Sequence, residues 1–227
     1  MYDKQRFTLY QGCFLVMSFC ILWVCFPIGG SLDLALIDPW VSKSGQFLLR
    51  DNWYLAELNH RYVKDLLILV YASFLVLWLG SFKFETIKSL RWSYGYFFCM
   101  VIFSTSIIGL LKSQSAHACP WNTTIPTPQG FFWDFSTTKG HCFPGGHAST
   151  GFALMAGYFV FRQSNQKRAY FFLFSGLILG FAMGWAQMMR GAHFLSHNLW
   201  TAWIIWLINV IFYLWHNKKF NLVQEQP

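Results

Sequence analysis

The sequence predicts an all-α membrane protein with six transmembrane helices, and three observations lead to this fold class. The chain of 227 residues is 55% hydrophobic and only 11% charged, whereas soluble domains carry about 25% charged residues. Its mean hydropathy is +0.37, and 21% of its residues are aromatic, as expected where aromatic side chains line membrane–water boundaries. At roughly 20 apolar residues per span, this composition supplies about six spans. Little remains for a separate soluble domain, so residues 1–227 are interpreted as one membrane domain.

Six apolar runs lack an acidic or basic residue in their interior. The first run is too long for the core of a cleaved signal peptide and has no small-residue cleavage site, so it is predicted to be a retained span. The fourth is short, which would place its N-terminal end within the membrane boundary. The spans are predicted at residues 7–28, 66–82, 94–111, 148–161, 169–188 and 199–215.

Basic residues set the orientation of the spans. Ten of the 17 lysines and arginines fall in short segments on one side, and the positive-inside rule makes that side cytoplasmic. Both termini are then cytoplasmic, and the opposite face lies outside, in the periplasm if the membrane is a bacterial inner membrane. The net charge of +8 is thereby explained by topology, and no nucleic-acid partner is expected. The ten residues are Lys4, Arg6, Lys83, Lys88, Arg91, Arg162, Lys167, Arg168, Lys218 and Lys219.

Two segments on the outer side are long enough to contribute structure. Residues 32–61 contain Trp40, Trp53 and Leu58 among polar residues, which predicts a helical segment lying in the membrane interface. This segment would help a lipid to reach the protein from the outer leaflet. Residues 112–146 are rich in Pro, Gly, Thr and aromatic residues, which predicts an ordered irregular loop.

Cysteine positions predict one disulfide. Four of the six cysteines fall inside spans and are interpreted as small buried apolar residues. Cys119 and Cys142 both fall in the outer loop, where an oxidising compartment would favour a disulfide between them. Closure of that loop would stabilise the fold by about 3 kcal/mol.

Polar residues that lipid should exclude are concentrated on the outer face, and such residues are costly in a membrane and usually functional. The Gly145-Gly146 turn that opens a helix presents unpaired backbone N–H groups to an anion, and lysine and arginine add positive charge. Two histidines from different helix ends can divide the chemistry, one attacking phosphorus and one protonating the departing oxygen. No carboxylate cluster or Cys/His metal set accompanies them, so phosphoryl transfer without a metal or other cofactor is expected. The set comprises Lys112, His117, His141, His147, Gln187, Arg190, His193 and His197.

On these residues the sequence resembles the type 2 phosphatidic acid phosphatase (PAP2) family, whose active-site plan is shared with bacterial acid phosphatases and vanadium haloperoxidases. The family's motifs read Lys-x6-Arg-Pro, Pro-Ser-Gly-His and Ser-Arg-x5-His-x3-Asp. Residues 112–120, 144–147 and 191–197 keep the order of the motifs and fall on one membrane face. The resemblance implies a six-helix PAP2-like bundle with its active-site motifs within residues 112–197.

The resemblance also implies a role for each matched residue. His193 would be the nucleophile that forms a phosphohistidine, and His147 would be the general acid. Lys112 and the backbone of Gly146 would bind the phosphate. The implied substrate is a lipid phosphate among membrane lipids, with no metal and no cofactor.

The sequence departs from the family motifs at several positions. For the missing motif arginine at position 119, Lys139 or His141 could approach in the fold. The departures are Cys119 for Arg, Gly145 for Ser, Ala186 and Gln187 for Ser-Arg, and His197 for the Asp that orients the nucleophile.

Neighbouring residues can compensate for two of these departures. Arg190 lies one helical turn beyond Gln187, and helical side chains lean toward the N-terminus, so its guanidinium could take the place of the missing motif arginine. Gln187 could then donate to a phosphate oxygen. His197 lies four residues after His193 and, as a neutral imidazole, can accept its ring proton.

The sequence therefore predicts a membrane phosphatase acting on a phosphomonoester or pyrophosphate of a phospholipid, polyprenyl lipid or lipid A, and it leaves alternatives open. Another lipid could resolve the phosphohistidine, which would make the protein a phosphotransferase. The motif departures could instead mark a lipid-phosphate-binding protein without turnover. The spacing of His193 and His197 also fits a metal site, and a shifted register would make His197 the nucleophile. The membrane setting and the reduced positive charge argue against a haloperoxidase.

Overall fold

A computed structural model describes the backbone of residues 2–138 and 140–224, and the side chains of residues 5–59, 61–138 and 140–216. This part of the chain is predominantly helical, as predicted. The helices are α1 (Tyr2–Cys25), α2 (Ser31–Ile37), α3 (Lys64–Gly80), α4 (Arg91–Gln114), α5 (Pro120–Thr123), α6 (Gly146–Phe152), α7 (Ala156–Phe161), α8 (Gln166–Met189) and α9 (Leu195–Gln224).

Five helical stretches of the described chain are long and apolar enough to cross a membrane. They correspond to the predicted first, second, third, fifth and sixth spans, and they confirm an all-α membrane protein. The stretches are Gln5–Cys25, Tyr54–Gly80, Glu85–Gln114, Gln166–Met189 and Leu195–His216.

The predicted fourth span is shorter than the other five. Here α6, the 3₁₀ turn Ala153–Met155 and α7 form one helical run over 146–161, which is about 24 Å long at 1.5 Å per residue and less than the roughly 30 Å of a bilayer core. Most of its side chains are buried. This run is a central helix enclosed by its neighbours, and only five helices of the described chain have membrane-spanning length.

The predicted interfacial segment, residues 32–61, is divided between two parts of the fold. Its first part forms α2 and a 3₁₀ turn at Asp38–Trp40. Its last part belongs to the π-helical stretch Tyr54–Val63, which continues into α3 without a break. The sequence contains no Gly or Pro between residues 54 and 79 to end a helix. Helical structure is therefore present as predicted, but residues 32–61 do not form one continuous helix.

The predicted irregular loop at residues 112–146 contains regular structure. After α4 and the short α5, strands β1 (Thr124–Thr127) and β2 (Gly130–Trp133) form an antiparallel hairpin, with Ile125 opposite Phe132. Gly130 has a φ of 149° at the turn, a conformation that glycine adopts readily. The prediction of a wholly irregular loop was wrong because β-branched and aromatic residues stabilise this short pairing.

Close packing around α6 and α7 determines where the helix ends meet. Gly151 lets α6 approach α8, since a β-carbon there would lie 2.7 Å from Gly180 Cα. The Tyr71 hydroxyl on α3 donates to the Thr150 carbonyl at 2.5 Å. The C-terminal ends of α4 and α8 and the N-terminal ends of α6 and α9 meet at one end of the bundle, which we call the site end. The opposite end contains the C-terminal part of α7 and of α9.

Candidate active site

The predicted catalytic residues reach the site end from the end of α4, the start of α6 and the connection between α8 and α9. Lys112 lies in the last turn of α4, and a β-carbon added at Gly146 would lie 3.4 Å from Lys112 Cδ. His147 lies in the first turn of α6, half-buried and close enough for its charge to act on His193. These helix ends therefore place a lysine side chain, a helix N-terminus and two histidines around one point.

His193 lies in the connection between α8 and α9 and is 2% exposed. Its Nδ1 lies 2.7 Å from the Cys142 carbonyl oxygen and 3.4 Å from His197 Nδ1. Because a carbonyl oxygen can only accept, Nδ1 must carry the ring hydrogen in this bond, and Nε2 keeps its lone pair. The arrangement fixes the tautomer that makes Nε2 a nucleophile.

The environment of His193 favours its neutral form. Burial holds the pKa of His193 well below its ordinary value of 6.5, and Coulombic interactions with the neighbouring His197 and with the Lys112 ammonium lower it further. The hydrogen bond to the Cys142 carbonyl opposes this shift. An unprotonated imidazole at neutral pH is the form that can attack phosphorus.

His197 lies beside His193 as predicted, but it is not the nearest acceptor for the His193 ring. The backbone carbonyl of Cys142 is nearer, and sequence reasoning missed it because no side-chain pattern indicates a carbonyl. The His197 ring packs edge-on against Phe143 and Phe194, with centroid distances of 5.6 and 5.4 Å. Its Nε2 is buried and has no hydrogen-bond partner among the described residues.

Asp33 holds the first turn of α9 and was also missed. It is 3% exposed. Its Oδ1 accepts from the Ser196 backbone N–H at 2.9 Å, and its Oδ2 accepts from the Ser196 hydroxyl and from the Gly29 N–H at 3.0 Å. Burial raises the pKa of Asp33, and these hydrogen bonds oppose the rise. A carboxylate at a helix N-terminus is stabilised by the helix dipole, so a residue from α2 caps the helix that carries His197.

The turn before α6 is tied to α9, which explains one departure from the family motif. The Gly145 N–H donates to Thr201 Oγ1 at 2.8 Å, and Thr201 Oγ1 donates to the His197 carbonyl at 2.7 Å. A β-carbon at Gly145 would lie 2.6 Å from Asn198 Oδ1. Asn198 therefore occupies the space that a serine at position 145 would need.

Arg190 and Gln187 lie together at the end of α8, as their spacing predicts. Arg190 Nη1 donates to Gln187 Oε1 at 3.3 Å, and Arg190 Nε donates to the Arg50 carbonyl at 2.7 Å. Burial lowers the pKa of Arg190, but a guanidinium stays protonated in proteins. Gln187 is 2% exposed, and its Nε2 has no hydrogen-bond partner in the described chain. It offers a buried N–H donor to an anionic oxygen.

Cys119 and Cys142 are joined as a disulfide, with their Cα atoms 5.1 Å apart. Both residues are 5% exposed. His141, one of the candidates to replace the motif arginine at position 119, is exposed, and its Nδ1 lies 2.7 Å from the Ser115 carbonyl. Lys139, the other candidate, lies outside the described residues. Position 119 thus contributes a covalent link where the family motif has a cation.

An apolar cavity of about 1100 Å³ lies at the site end, separated from His197 by two aromatic rings. Its walls include Phe143 and Phe194, the two rings that pack against His197. Other walls come from the C-terminal ends of α1 and α4 and from the N-terminal half of α9. Phe19 and Trp23 line the cavity and are 40% and 69% exposed. The cavity therefore opens sideways at the surface of the helix bundle.

The described residues contain no group of three His, Cys, Asp or Glu side chains able to hold a metal ion. Comparison with the curated proteins and with the solved structures gave no match. A family model described as PAP2 superfamily matches residues 92–221, more than half of the chain and all of the motif segments. The chain belongs to the PAP2 superfamily.

Proposed function

We propose that the protein is a membrane phosphatase that removes phosphate from a lipid through a phosphohistidine. The PAP2 superfamily generally comprises phosphatases, and this supports a hydrolase as the class of enzyme. The observation that carries the lipid specificity is the apolar cavity of about 1100 Å³ whose walls include Phe143 and Phe194, the two rings that pack against His197. An acyl or polyprenyl chain can fill such a cavity while its phosphate reaches His193. Because the chain comes from the apolar bilayer and not from water, the cavity selects it by shape and packing.

In the first step, His193 Nε2 attacks phosphorus and the bond between phosphorus and the lipid oxygen breaks. His147 gives its proton to the departing oxygen, which leaves as a hydroxyl or, for a pyrophosphate, as a lipid phosphate. The attacking imidazole becomes cationic on forming its bond to phosphorus, and the Cys142 carbonyl stabilises it by accepting a hydrogen bond from Nδ1–H. His197 Nδ1 can accept in the same way when its own hydrogen is on Nε2.

In the second step, water attacks the phosphorus of the phosphohistidine. His147 now accepts a proton from that water, the bond between Nε2 and phosphorus breaks, and its electron pair returns to His193. Inorganic phosphate leaves, and both histidines recover their starting protonation states. Water is the only acceptor that hydrolysis needs.

Positively charged and N–H groups bind the phosphate oxygens throughout both steps. Lys112 and the Gly146 backbone N–H lie on one side, at the N-terminus of α6. Arg190 and Gln187 lie at the end of α8, where Arg190 supplies positive charge and Gln187 Nε2 supplies a buried donor. These groups stabilise the charge that develops on the phosphoryl oxygens, and no step requires a metal.

The proposed location is a bacterial inner membrane with the site end on the periplasmic face. The excess of basic residues in the short segments at the other face supports this orientation. The disulfide supports it as well, because an oxidising compartment is where such a bond persists.

The test is phosphate release by the purified full-length protein. The substrate panel contains phosphatidic acid, phosphatidylglycerophosphate, a polyprenyl pyrophosphate and a lipid A phosphate, all with EDTA present. We expect release from at least one lipid, and none from His193→Ala. His216→Ala is the matched control, because that histidine lies at the opposite end of the bundle, beside the Phe212 carbonyl, and its loss should leave the rate per folded molecule within about twofold. A panel without any phosphate release would overturn the proposal.

Product analysis distinguishes the competing functions. Hydrolysis yields free phosphate and a dephosphorylated lipid, whereas phosphotransfer yields a newly phosphorylated acceptor lipid in the mass spectrum. A lipid-phosphate-binding protein without turnover would retain labelled lipid and release nothing.

A further inference from the structure

We propose that the Cys119–Cys142 disulfide positions the nucleophile, by holding in place the backbone carbonyl that orients His193. This inference rests on the proposed phosphatase function and adds a positioning role for residues that sit outside the reacting atoms. The contact that carries it is the 2.7 Å hydrogen bond between His193 Nδ1 and the Cys142 carbonyl. That carbonyl belongs to the same residue whose sulfur is bonded to Cys119.

The segment that carries this carbonyl has few other attachments to the bundle. The Cys142 N–H donates to the His117 carbonyl at 2.8 Å, and His141 Nδ1 contacts the Ser115 carbonyl at 2.7 Å. Both partners lie in the chain between α4 and α5, which is itself without regular structure at these residues. The disulfide therefore links one irregular segment to another and restricts the motion of both.

The next attachment of Cys119 connects the disulfide to the catalytic turn. α5 begins directly after Cys119, and the N–H of Trp121 in α5 donates to the Gly191 carbonyl at 2.9 Å. Gly191 lies two residues before His193. The disulfide thus closes a loop in which the nucleophile is held from both sides, through its backbone by α5 and through its ring by the Cys142 carbonyl.

This arrangement relates two departures from the family motif. The motif aspartate that orients the nucleophile is His197 in this chain, and the motif arginine is Cys119. His197 lies 3.4 Å from His193, farther than the carbonyl. A carboxylate that orients a histidine is held by the other hydrogen bonds of its own side chain. A backbone carbonyl on an irregular segment lacks such bonds and needs a separate constraint. The cysteine at position 119 provides that constraint covalently.

The consequence is a rate that depends on the oxidation state of the pair. With the disulfide reduced, the carbonyl can move away, and the His193 ring can rotate or carry its hydrogen on Nε2, where it blocks attack. Substrate binding uses Lys112, Gly146 and Arg190, none of which bonds to the cysteines, so KM should change little. A bond that acted only on stability would change the folded fraction and leave kcat per folded molecule intact.

The experiment compares kcat and KM for oxidised and reduced protein on the best substrate from the lipid panel. The test variant carries Cys13→Ser, Cys20→Ser, Cys25→Ser and Cys99→Ser, at the four free cysteines of the structure, so that a phosphine reductant acts on one site alone. The phosphine gives two electrons to the disulfide, and one water molecule supplies two protons and an oxygen atom, so that the products are two thiols and a phosphine oxide. We expect kcat to fall at least tenfold with KM within twofold, and to recover on reoxidation.

Single and double variants provide the second measurement. Cys119→Ser, Cys142→Ser and the double variant should each show the low kcat of the reduced protein and no response to reductant. Unchanged kcat on reduction would overturn the inference, and so would a loss that follows only from unfolding in a thermal melt. Phosphate release by the oxidised protein tests the proposed function separately, so the two can fail independently.

Discussion

Two buried polar side chains near opposite ends of α9, Tyr213 and His197, differ in how their polar atoms are satisfied. At the opposite end, the Tyr213 hydroxyl accepts from Arg162 Nη1 and from Gln163 Nε2, both at 2.7 Å. The Arg162 guanidinium also lies over the Phe7 ring, 3.7 Å from its centroid. At the site end, His197 Nε2 has no such partner in the described chain, and burial keeps His193 neutral.

The difference suits a stabilising role for Tyr213 and the proposed reactive role for the site that contains His197. Polar atoms that bond to each other inside a protein fix the packing and leave no capacity for a ligand. Buried polar atoms without protein partners are costly and are retained where a ligand can satisfy them. Substitutions at the opposite end should therefore change stability, and substitutions at the site end should change kinetics. Four predictions test that separation.

The largest effect is expected for His193→Ala. Without Nε2 no phosphohistidine can form, and phosphate release should fall by at least about 1000-fold. The thermal midpoint should fall, because the variant leaves a cavity and an unpaired Cys142 carbonyl, so the rate is expressed per folded molecule. Measurement needs a phosphate assay and a thermal melt on the same preparation. Residual activity above one tenth would identify another residue, His197 first, as the nucleophile.

Asp33→Asn should give the second largest effect. The amide cannot accept as strongly as the carboxylate from the Ser196 N–H and hydroxyl, so the start of α9 loosens and His193 shifts. We expect kcat to fall roughly 10- to 100-fold and the free energy of unfolding to fall by about 1–3 kcal/mol. Asp38→Asn is the matched control, since Asp38 lies in the same segment but is exposed. A parental kcat in Asp33→Asn would show that the cap does not position the site.

The pH dependence should give a smaller effect of defined sign. The pKa of His193 lies well below 6.5 in the folded protein. After correction for the ionisation of the substrate phosphate, kcat/KM should therefore begin to decrease only at a pH below 6.5. Stability should also decrease as pH falls below 6.5, because the unfolded chain then binds a proton that folded His193 does not. A decrease in kcat/KM that begins at or above pH 6.5 would contradict a buried nucleophile that is neutral at that pH.

Tyr213→Phe should have the smallest effect on catalysis and a clear effect on stability. The variant removes the acceptor for Arg162 and Gln163, so the free energy of unfolding should fall by about 1–3 kcal/mol. kcat and KM should stay within twofold of the parental values, because Tyr213 lies at the end of α9 away from His193. A large kinetic defect in folded Tyr213→Phe would mean that the two ends of α9 are coupled.

The sequence predicted the helical membrane fold because lipid imposes a strong compositional requirement on each span. It indicated that the fourth span is short, but not that neighbouring helices enclose it, since an apolar run buried by protein looks the same as one buried by lipid. It also missed the hairpin β1–β2, because four-residue strands give a weak pattern. The sequence placed the beginning of the π-helical stretch Tyr54–Val63 in the interface, whereas the structure joins this stretch to α3. An amphipathic pattern does not show which apolar run such a segment continues.

Within the site, the sequence by itself determined which residue types are available for the proposed phosphate chemistry, Lys112, His147, Arg190 and His193, and their order along the chain. Only the tertiary structure decided what surrounds them. Asp33 is 163 residues from Ser196, and the acceptor for His193 is a backbone carbonyl from the segment before α6. Periodicity and spacing describe local geometry, whereas orientation of a buried imidazole depends on hydrogen bonds between distant segments. Those bonds form only when the helix ends pack together.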